Sequence, residues 1–289
     1  MMMRLDVLLV LCLCVCGASA SSSIRDVDAF ELDPTSVTHG QYKLVAVHPH
    51  DSDAFTEGLL FHDGVLLEST GLDGKSFVRE HNATEFGVHV NEFRFPPDVF
   101  GEGIAVLNDK IYALTYKAKV GYVLDRRTFK LLDTFRFDTT TGEGWGMTTD
   151  GHNLIVSDGS ATILFLEPTN DMHVIRTITV TETDGSEVRN INELEYVHGE
   201  LLANVWFTNS ILRIDVATGH VKETLNLDHL PTLEGHVEGI QGPLKNDAVM
   251  NGIAFNPINQ HVYVTGKLWD SMFELDLNVP RRHIRRHSY

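Results

Sequence analysis

The sequence predicts an all-β fold, a five-bladed β-propeller. Three observations predict it. Short apolar segments of strand length follow one another along the chain, turn sequences such as LNDK, TDGHN and SDGS separate them, and the pattern recurs. The repeat is about 40–50 residues long and holds about four strands, which is typical of propeller blades.

The strands are predicted from runs of β-branched, aliphatic and aromatic residues bounded by Gly, Asp and Asn. In chain order they include YKLVAV (42–47), GVLLEST (64–70), KIYALTY (110–116), VGYVLD (120–125), NLIVSD (153–158), ATILFLE (161–167), ELLANVW (200–206), SILRIDV (210–216), QHVYVTG (260–266) and DSMFELDL (270–277).

Each repeat unit opens where an acidic residue or Asn stands beside Gly or Glu, just before an apolar run. These openings are Glu57, Glu102, Glu143, Asn192 or Glu193, and Asn251. The first strand of each blade lines the central channel of a propeller, so we expect the openings to converge at one end of that channel. The adjacent glycines are expected because they let neighbouring backbones approach closely.

The fifth unit, from Asn251, holds only about three strands. The segment YKLVAVHPH (42–50) precedes the first unit and is predicted to join the last blade as its outer strand. Such closure removes exposed sheet edges. The propeller domain is predicted to span residues 41–280.

The composition indicates one large globular domain, with 289 residues of which 43% are hydrophobic and 22% charged. The formal net charge of −17 argues against a nucleic-acid partner, because phosphate binding requires a basic surface.

Residues 1–20 have the pattern of a secretory signal peptide, with cleavage expected after Ala20, and residues 21–40 are predicted to be a linker. This pattern predicts a secreted or lumenal protein without a membrane anchor. All three cysteines lie in the predicted signal peptide, so we expect no disulfide and no cysteine-bound metal in the mature chain. Asn82 begins a glycosylation sequon, and residues 281–289 form a basic tail.

Tryptophans and one lysine accompany the unit openings. Trp145 and Trp206 are predicted to face the funnel, where they would form an aromatic box for an amine or amide, whereas Trp269 is predicted to pack in the core. A carboxylate beside them should have a raised pKa that suits proton transfer near neutral pH. Lys267 is expected to orient a carboxylate or to stabilise an oxyanion.

Several motifs together resemble one known family, the plant and bacterial type of glutaminyl-peptide cyclotransferase, whose fold is a five-bladed propeller. The resemblance extends over residues 43–277. The motifs are AFTEGLLF, LLESTGLDGKSFVRE, FGEGIAVLNDKIYALTYK, GEGWGMTTDG, NELEYVHGELLANVW, NGIAFNP and YVTGKLW.

The resemblance implies cyclisation of an N-terminal glutamine to pyroglutamate with release of ammonia, without a metal or other cofactor. Glu102 matches the family's general acid/base, which would take a proton from the attacking amine and return it to the departing ammonia. The other residues that match catalytic or substrate-site positions are Asn192, Lys267, Phe55, Glu57, Trp145, Trp206 and Tyr116. Two of them depart from the usual pattern, since Glu57 stands where many members carry Gln and Tyr116 where Trp is frequent. The expected partners are peptides or proteins with N-terminal Gln, and a monomer is expected.

Two alternatives stay open from the residues alone. A ring of Glu and Asn at a channel mouth suits Ca²⁺, as in a metal-dependent, lactonase-like propeller hydrolase. A propeller that binds peptides without catalysis is the second alternative. The histidines of VHPHD (47–51) are predicted to be structural, because no third metal ligand is evident nearby.

Overall fold

Short antiparallel strands joined by turns make up nearly all of the chain that the structure describes. The structure is a computed structural model, which describes residues 38–39, 42–82, 88–169, 172–230 and 243–277. The predicted signal peptide with its cysteines, nearly all of the predicted linker and the basic tail lie outside the described residues. Within the described ranges, no helix is long and apolar enough to cross a membrane.

The strands of the described chain are, in order, β1 (Thr38–His39), β2 (Tyr42–Pro49), β3 (Thr56–His62), β4 (Val65–Thr70), β5 (Phe77–His81), β6 (His89–Arg94), β7 (Gly101–Leu107), β8 (Lys110–Thr115), β9 (Val120–Asp125), β10 (Leu131–Arg136), β11 (Met147–Thr149), β12 (Leu154–Ser157), β13 (Thr162–Leu166), β14 (Val174–Thr179), β15 (Ile191–Val197), β16 (Glu200–Val205), β17 (Ser210–Asp215), β18 (Val221–Asn226), β19 (Met250–Asn256), β20 (His261–Gly266) and β21 (Ser271–Asp276). A 3-10 helix, Pro243–Asp247, precedes β19. Each segment predicted as a strand overlaps one of these strands.

The strands form five antiparallel sheets, which are the blades of a propeller. Blades 1 to 4 hold β3–β6, β7–β10, β11–β14 and β15–β18 in sequence order, and blade 5 has the order β19-β20-β21-β2-β1. The first strand of each blade contacts the first strand of the next, and β19 contacts β3, so that the inner strands form a closed ring. The predicted five-bladed propeller is confirmed.

The first and last parts of the domain share blade 5. Strand β2 pairs with β21, with Lys43 opposite Asp276 and Pro49 opposite Ser271. Thr38–His39, which the sequence pattern assigns to the linker, extend this sheet as β1.

The hydrophobic core lies between neighbouring blades. One buried cluster joins blades 1 and 2 around Leu67, Ile104 and Leu124. Similar clusters join blades 2 and 3 and blades 3 and 4, and Leu59 packs with residues of blade 5. Because these neighbouring blades bury apolar faces against each other, the ring is held by a hydrophobic core between its blades.

The inner strands approach one another closely where they begin. A side chain at Gly103 would collide with the backbone of Trp145–Met147, and one at Gly146 would collide with the backbone of Asn192 and Glu193. Glycine is therefore required there for the close approach of neighbouring blades, which is the reason predicted from the sequence.

The predicted opening of the third unit at Glu143 is wrong. Ile104 and Met147 hold equivalent positions, because they pair with Ala113 and Val156 in their blades. Trp145 stands two residues before Met147, as Glu102 stands two residues before Ile104. The motif Gly-Glu-Gly recurs at 142–144, but the pairing with the second strand defines which residue opens the unit. By that pairing the opening of the third unit is Trp145.

Blade 4 carries Glu193 where blades 1, 2, 3 and 5 carry glycine. Its side chain is fully buried and accepts hydrogen bonds from the backbone N–H groups of Ile253 (2.8 Å) and Leu59 (3.4 Å). Glu195 similarly accepts from the N–H of Phe255 at 2.9 Å. Burial raises the pKa of Glu193 well above its usual range and that of Glu195 to about 8. These carboxyl groups tie blade 4 to blades 1 and 5 inside the channel.

A second buried carboxylate connects blades 1 and 5. Glu68 accepts hydrogen bonds from His50 Nε2 (2.9 Å), His81 Nε2 (3.0 Å) and Thr56 Oγ1 (2.8 Å). His50 Nδ1 bonds to the carbonyl oxygen of Trp269 at 2.7 Å. His50 belongs to VHPHD, and its contacts are those of a structural residue. Among the described residues, no group of three or more His, Cys, Asp or Glu is arranged to hold a metal ion.

Candidate active site

A pocket opens at the end of the channel where the inner strands begin. Its cavity has a volume of about 220 Å³. The lining residues are Phe55, Glu57, Leu72, Phe100, Glu102, Tyr116, Trp145, Asn192, Trp206, Leu244, Asp247 and Lys267. The structure therefore brings together all eight side chains that the sequence singled out as catalytic or substrate-binding.

Two sets of equivalent positions supply most of these side chains. The first set is the opening of each inner strand: Glu57, Glu102, Trp145, Asn192 and Asn251. The second set lies at the end of the second strand of each blade, at positions made equivalent by the pairing of the first two strands: Gly71, Tyr116, Gly159, Trp206 and Lys267. The second set explains why Tyr116, Trp206 and Lys267 meet, although their sequence contexts share no motif. Gly71 leaves room, because a side chain there would collide with Phe100.

The floor of the pocket is a compact group of charged side chains. Glu57, Glu102 and Lys267 are 1%, 5% and 5% exposed. Lys267 Nζ donates a hydrogen bond to Glu57 Oε1 at 2.7 Å, and Asn251 Nδ2 donates to Glu57 Oε2 at 3.2 Å. The carboxyl groups of Glu57 and Glu102 are also hydrogen-bonded to each other. The positive charge of Lys267 thus acts on both buried carboxyl groups.

The two carboxyl groups differ in their affinity for a proton. Burial raises the pKa of Glu102 well above its usual range, the negative charge of Glu57 raises it further, and Lys267 opposes the shift. Burial also raises the pKa of Glu57, but Lys267 and the hydrogen bond from Glu102 oppose that change more directly. Because two adjacent carboxyl groups disfavour each other's ionisation, the pair tends to retain a proton, and Glu102 is the member whose pKa is raised more strongly.

Aromatic rings surround the floor. Trp145 and Trp206 meet edge to face, with ring centroids 5.4 Å apart and an interplanar angle of 90°. Phe100 packs between Phe55 (6.1 Å) and Tyr116 (5.7 Å) on another part of the wall. These rings lower the polarity around the carboxyl pair, which strengthens electrostatic interactions there.

Two polar atoms of the wall are buried without a hydrogen-bond partner among the described residues. They are Asn192 Oδ1, an acceptor, and Trp206 Nε1, a donor. Buried polar groups normally have partners, so such a pair beside a cavity indicates a ligand that supplies one donor and one acceptor.

The sequence reasoning missed Leu72, Phe100, Leu244 and Asp247. Phe100 had a usable signal, because it stands two residues before Glu102 as Phe55 stands two residues before Glu57. Asp247 ends the 3-10 helix before β19 and belongs to no repeated motif.

Other residues considered from the sequence lie outside the pocket lining. Glu143 accepts a hydrogen bond from Trp145 Nε1 at 3.0 Å and pairs with Lys117 at 3.3 Å. Asn251 is fully buried and donates a hydrogen bond to Glu57, so it supports the floor of the pocket without lining the cavity. Trp269 is buried and packs edge to face on Phe273, which agrees with the predicted core position.

Asn82 follows β5, and its backbone N–H donates to the carbonyl of Val88 at 2.7 Å. The remaining sequon residues, 83 and 84, lie outside the described part of the chain, and glycosylation at Asn82 stays a prediction.

A family model, a related protein and a solved structure that are similar to this chain all carry the description of a glutamine or glutaminyl cyclase. A family model described as glutamine cyclotransferase matches residues 8–277. The chain is 35% identical over 244 residues to a glutaminyl-peptide cyclotransferase of Arabidopsis thaliana, covering 82% of this chain and 71% of the relative. It also resembles the crystal structure of Myxococcus xanthus glutaminyl cyclase, with a TM-score of 0.72 and 31% identity over 81% of this chain and 95% of that one.

Proposed function

The chain belongs to the glutamine cyclotransferase family, and from this we propose that it cyclises the N-terminal glutamine of peptides and proteins to pyroglutamate with release of ammonia. The observation that carries the proposal is the buried carboxyl group of Glu102, placed in an aromatic pocket beside an unpartnered acceptor and an unpartnered donor.

The polar atoms of the wall complement a primary amide. The NH₂ group of a glutamine side chain donates to an acceptor such as Asn192 Oδ1, and its carbonyl oxygen accepts from a donor such as Trp206 Nε1. The cavity of about 220 Å³ is smaller than the usual pocket for a drug-sized ligand, about 300–1,000 Å³, and suits a single terminal residue.

The reaction joins two groups of the same residue, so the pocket mainly has to hold the folded conformer. Binding with the α-nitrogen against the γ-carboxamide carbon gives the effective concentration of an intramolecular reaction. Phe55, Trp145 and Trp206 form the walls that fix this conformer and exclude water.

Glu102 carries the proton in the proposed mechanism. The α-nitrogen attacks the carboxamide carbon, a C–N bond forms, and the carbonyl oxygen becomes an oxyanion. Glu102 gives its proton to the carboxamide nitrogen and receives one from the attacking nitrogen, after which the old C–N bond breaks and ammonia leaves. Glu102 ends the cycle protonated, as it began, and such proton transfer typically accelerates a reaction about 10²- to 10⁴-fold.

Asn192 and Lys267 are the candidates for stabilising the oxyanion. Both line the pocket and carry N–H donors. Lys267 also neutralises Glu57, with which it forms a 2.7 Å ion pair. Glu57 in turn keeps the proton on Glu102, so its role is to position charge rather than to react.

We also propose that the protein enters the secretory pathway and acts as a monomer, with residues 1–20 removed and Asn82 glycosylated. The apolar segment ending in Ala-Ser-Ala and the Asn-Ala-Thr sequon support this. Sequencing the N-terminus of protein recovered from the medium of expressing cells tests cleavage, and a first residue of Ser21 is expected. Retention of the protein in the cytosol would contradict the proposal.

Ammonia release from Gln-Xaa dipeptides by the mature chain tests the function directly. The assay is run with and without EDTA, and with the Glu102→Gln variant. Ammonia and pyroglutamyl product in equal amounts, unaffected by EDTA and absent with Glu102→Gln, are expected. Activity that EDTA abolishes would favour the metal-dependent hydrolase, and binding of the dipeptides without ammonia release would favour a non-catalytic peptide-binding propeller.

A further inference from the structure

One turn recurs at the pocket end of blades 1, 4 and 5, and its third residue has an unusual backbone conformation. This residue lies two positions after the second strand, and φ is 77° at Leu72, 67° at Phe207 and 61° at Leu268. In blade 4 the turn is closed by a hydrogen bond from Thr208 N to Val205 O at 3.0 Å. Turns with positive φ at the third residue favour glycine, which none of these three blades supplies.

In blades 1 and 5 the side chain at this position is packed. Leu268 is 8% exposed and lies in an apolar cluster with Phe55 and Ala248, and Leu72 packs against the same cluster. Burial of these side chains offsets the conformational cost of the turn. The position therefore directs a side chain toward the wall of the pocket.

Phe207 holds this position in blade 4 without such burial. It is 58% exposed. One face of its ring stacks on Trp206, with centroids 4.1 Å apart and an interplanar angle of 24°. Trp206 lines the pocket, and the exposed ring of Phe207 lies beside it, outside the lining. A left-handed conformation is unfavourable for a non-glycine residue, and the exposed ring recovers little of that cost by packing within the chain.

A peptide substrate provides the missing contact. With the N-terminal residue in the pocket, the rest of the peptide leaves through the mouth, and the second residue emerges next to the wall that Trp206 and Phe207 form. We propose that Phe207, stacked on Trp206, is an apolar platform for the side chain that follows the N-terminal glutamine, and that it favours aromatic and large aliphatic side chains. This inference rests on the proposed function.

The test compares kcat/KM for Gln-Phe, Gln-Leu and Gln-Ala in the wild type and in Phe207→Asn. Asn is chosen because it tolerates positive φ, so the turn is kept while the ring is removed. We expect the wild type to favour Gln-Phe over Gln-Ala by roughly three- to tenfold, the range of one aromatic contact. The ratio should fall close to one in Phe207→Asn, mainly through a higher KM for Gln-Phe, and should be restored in Phe207→Tyr.

Ile258→Asn is the matched control. Ile258 is 77% exposed and follows β19, at the opposite end of the inner strand from the pocket, so the ratio should stay at the wild-type value. A wild-type ratio near one, or a ratio that Phe207→Asn leaves unchanged while its melting temperature is normal, would overturn the platform but not the proposed function. Absence of ammonia from every dipeptide would overturn the proposed function, and the platform with it.

Discussion

Blade 1 contains two buried carboxylates on paired strands, Glu68 and Glu57. They differ in how many hydrogen-bonding and positively charged partners surround them. Glu68 on β4 receives three hydrogen bonds and has a histidine at each oxygen. Burial by itself would raise the pKa of Glu68, but His50 and His81 hold it well below its usual range. Glu57 on β3 shares its single cation with a second carboxyl group, and the pKa of that group, Glu102, is raised well above its usual range.

The comparison distinguishes a buried carboxylate that stabilises the fold from a buried carboxyl pair that can take part in a reaction. A buried carboxylate that accepts hydrogen bonds at both oxygens, from two histidines and a hydroxyl group, is stabilised in its charged form and fastens neighbouring elements. A buried carboxyl pair with too little positive charge keeps a proton available, and here it faces a cavity. The following changes test whether the two sites are as separable as their contacts indicate.

Glu102→Gln should have the largest effect on activity. We expect kcat/KM to fall by about 10²- to 10⁴-fold, because the side chain can no longer exchange a proton. The melting temperature should stay unchanged or rise, since Gln has a similar size and is neutral at every pH, so it cannot repel the neighbouring carboxylate of Glu57. Steady-state ammonia release and differential scanning calorimetry measure the two effects. Glu167→Gln, at an exposed position after β13 and outside the pocket lining, is the control, and a Glu102→Gln enzyme with most of its turnover would refute the assignment.

Glu68→Gln should lower the stability of the fold and leave the activity of the folded protein almost unchanged. Removing one partner from a buried charged cluster costs about 3–5 kcal/mol, so the free energy of unfolding should fall by that order. The kcat of the protein that remains folded should stay near the wild-type value, because none of the residues bonded to Glu68 lines the pocket. Urea unfolding and active-site-normalised kinetics measure these quantities. A stable variant with a low kcat would show that the two sites are coupled.

Glu57→Gln should have an intermediate effect, confined to pH dependence. Loss of the negative charge lowers the pKa of Glu102, and Lys267, released from its ion pair, lowers it further. Because Glu102 acts in its protonated form, the alkaline limb of the kcat profile should move to lower pH. A profile of kcat against pH for both proteins checks this, and a limb that stays in place or moves to higher pH would contradict the proposed position of the proton.

The smallest effect expected is a change of stability with pH that arises from the Glu68 site. Burial lowers the pKa of His50, but Glu68 outweighs it and the net shift is upward, while the pKa of Glu68 is lowered. The His50 contribution to stability is complete below the unfolded value of about 6.5 and is lost as pH rises through its folded pKa. The Glu68 contribution is present above about 4.5 and is lost as pH falls.

The difference in unfolding free energy between the wild type and Glu68→Gln should therefore be largest between about pH 4.5 and 6.5. Urea unfolding of both proteins across the pH range measures it. A difference that grows steadily toward alkaline pH would contradict the proposed charges.

The sequence was sufficient for the blades and for most of the pocket. Glycine beside a polar residue recurs because neighbouring inner strands have to approach closely, and this constraint is visible as a repeat. The third unit was misplaced at Glu143 because the segment GEGWGM offers two candidate openings, Glu143 before Gly144 and Trp145 before Gly146. Only the pairing of Met147 with Val156 selects Trp145.

Other features depend on contacts that are distant in sequence. Tyr116, Trp206 and Lys267 share a position after the second strand, but that position has no preferred residue type. Trp206 and Lys267 were predicted from their chemistry and their place in the repeat, and only the resemblance indicated Tyr116. The partners of Glu68 come from His50 and His81, whose spacing shows no pattern. Phe207 was missed because an exposed aromatic residue after a strand is ordinary in sequence, and its positive φ is visible only in the structure.

The ion pair between Lys267 and Glu57 joins residues 210 positions apart, and β2 pairs with β21 across a similar separation. A ribosome makes the first member of each pair long before the second. The floor of the pocket is therefore completed only when the last blade has been synthesised and docked beside the first. The onset of turnover during refolding or translation therefore reports when the ring closes. Activity can be used to time the formation of these contacts between the two ends of the domain.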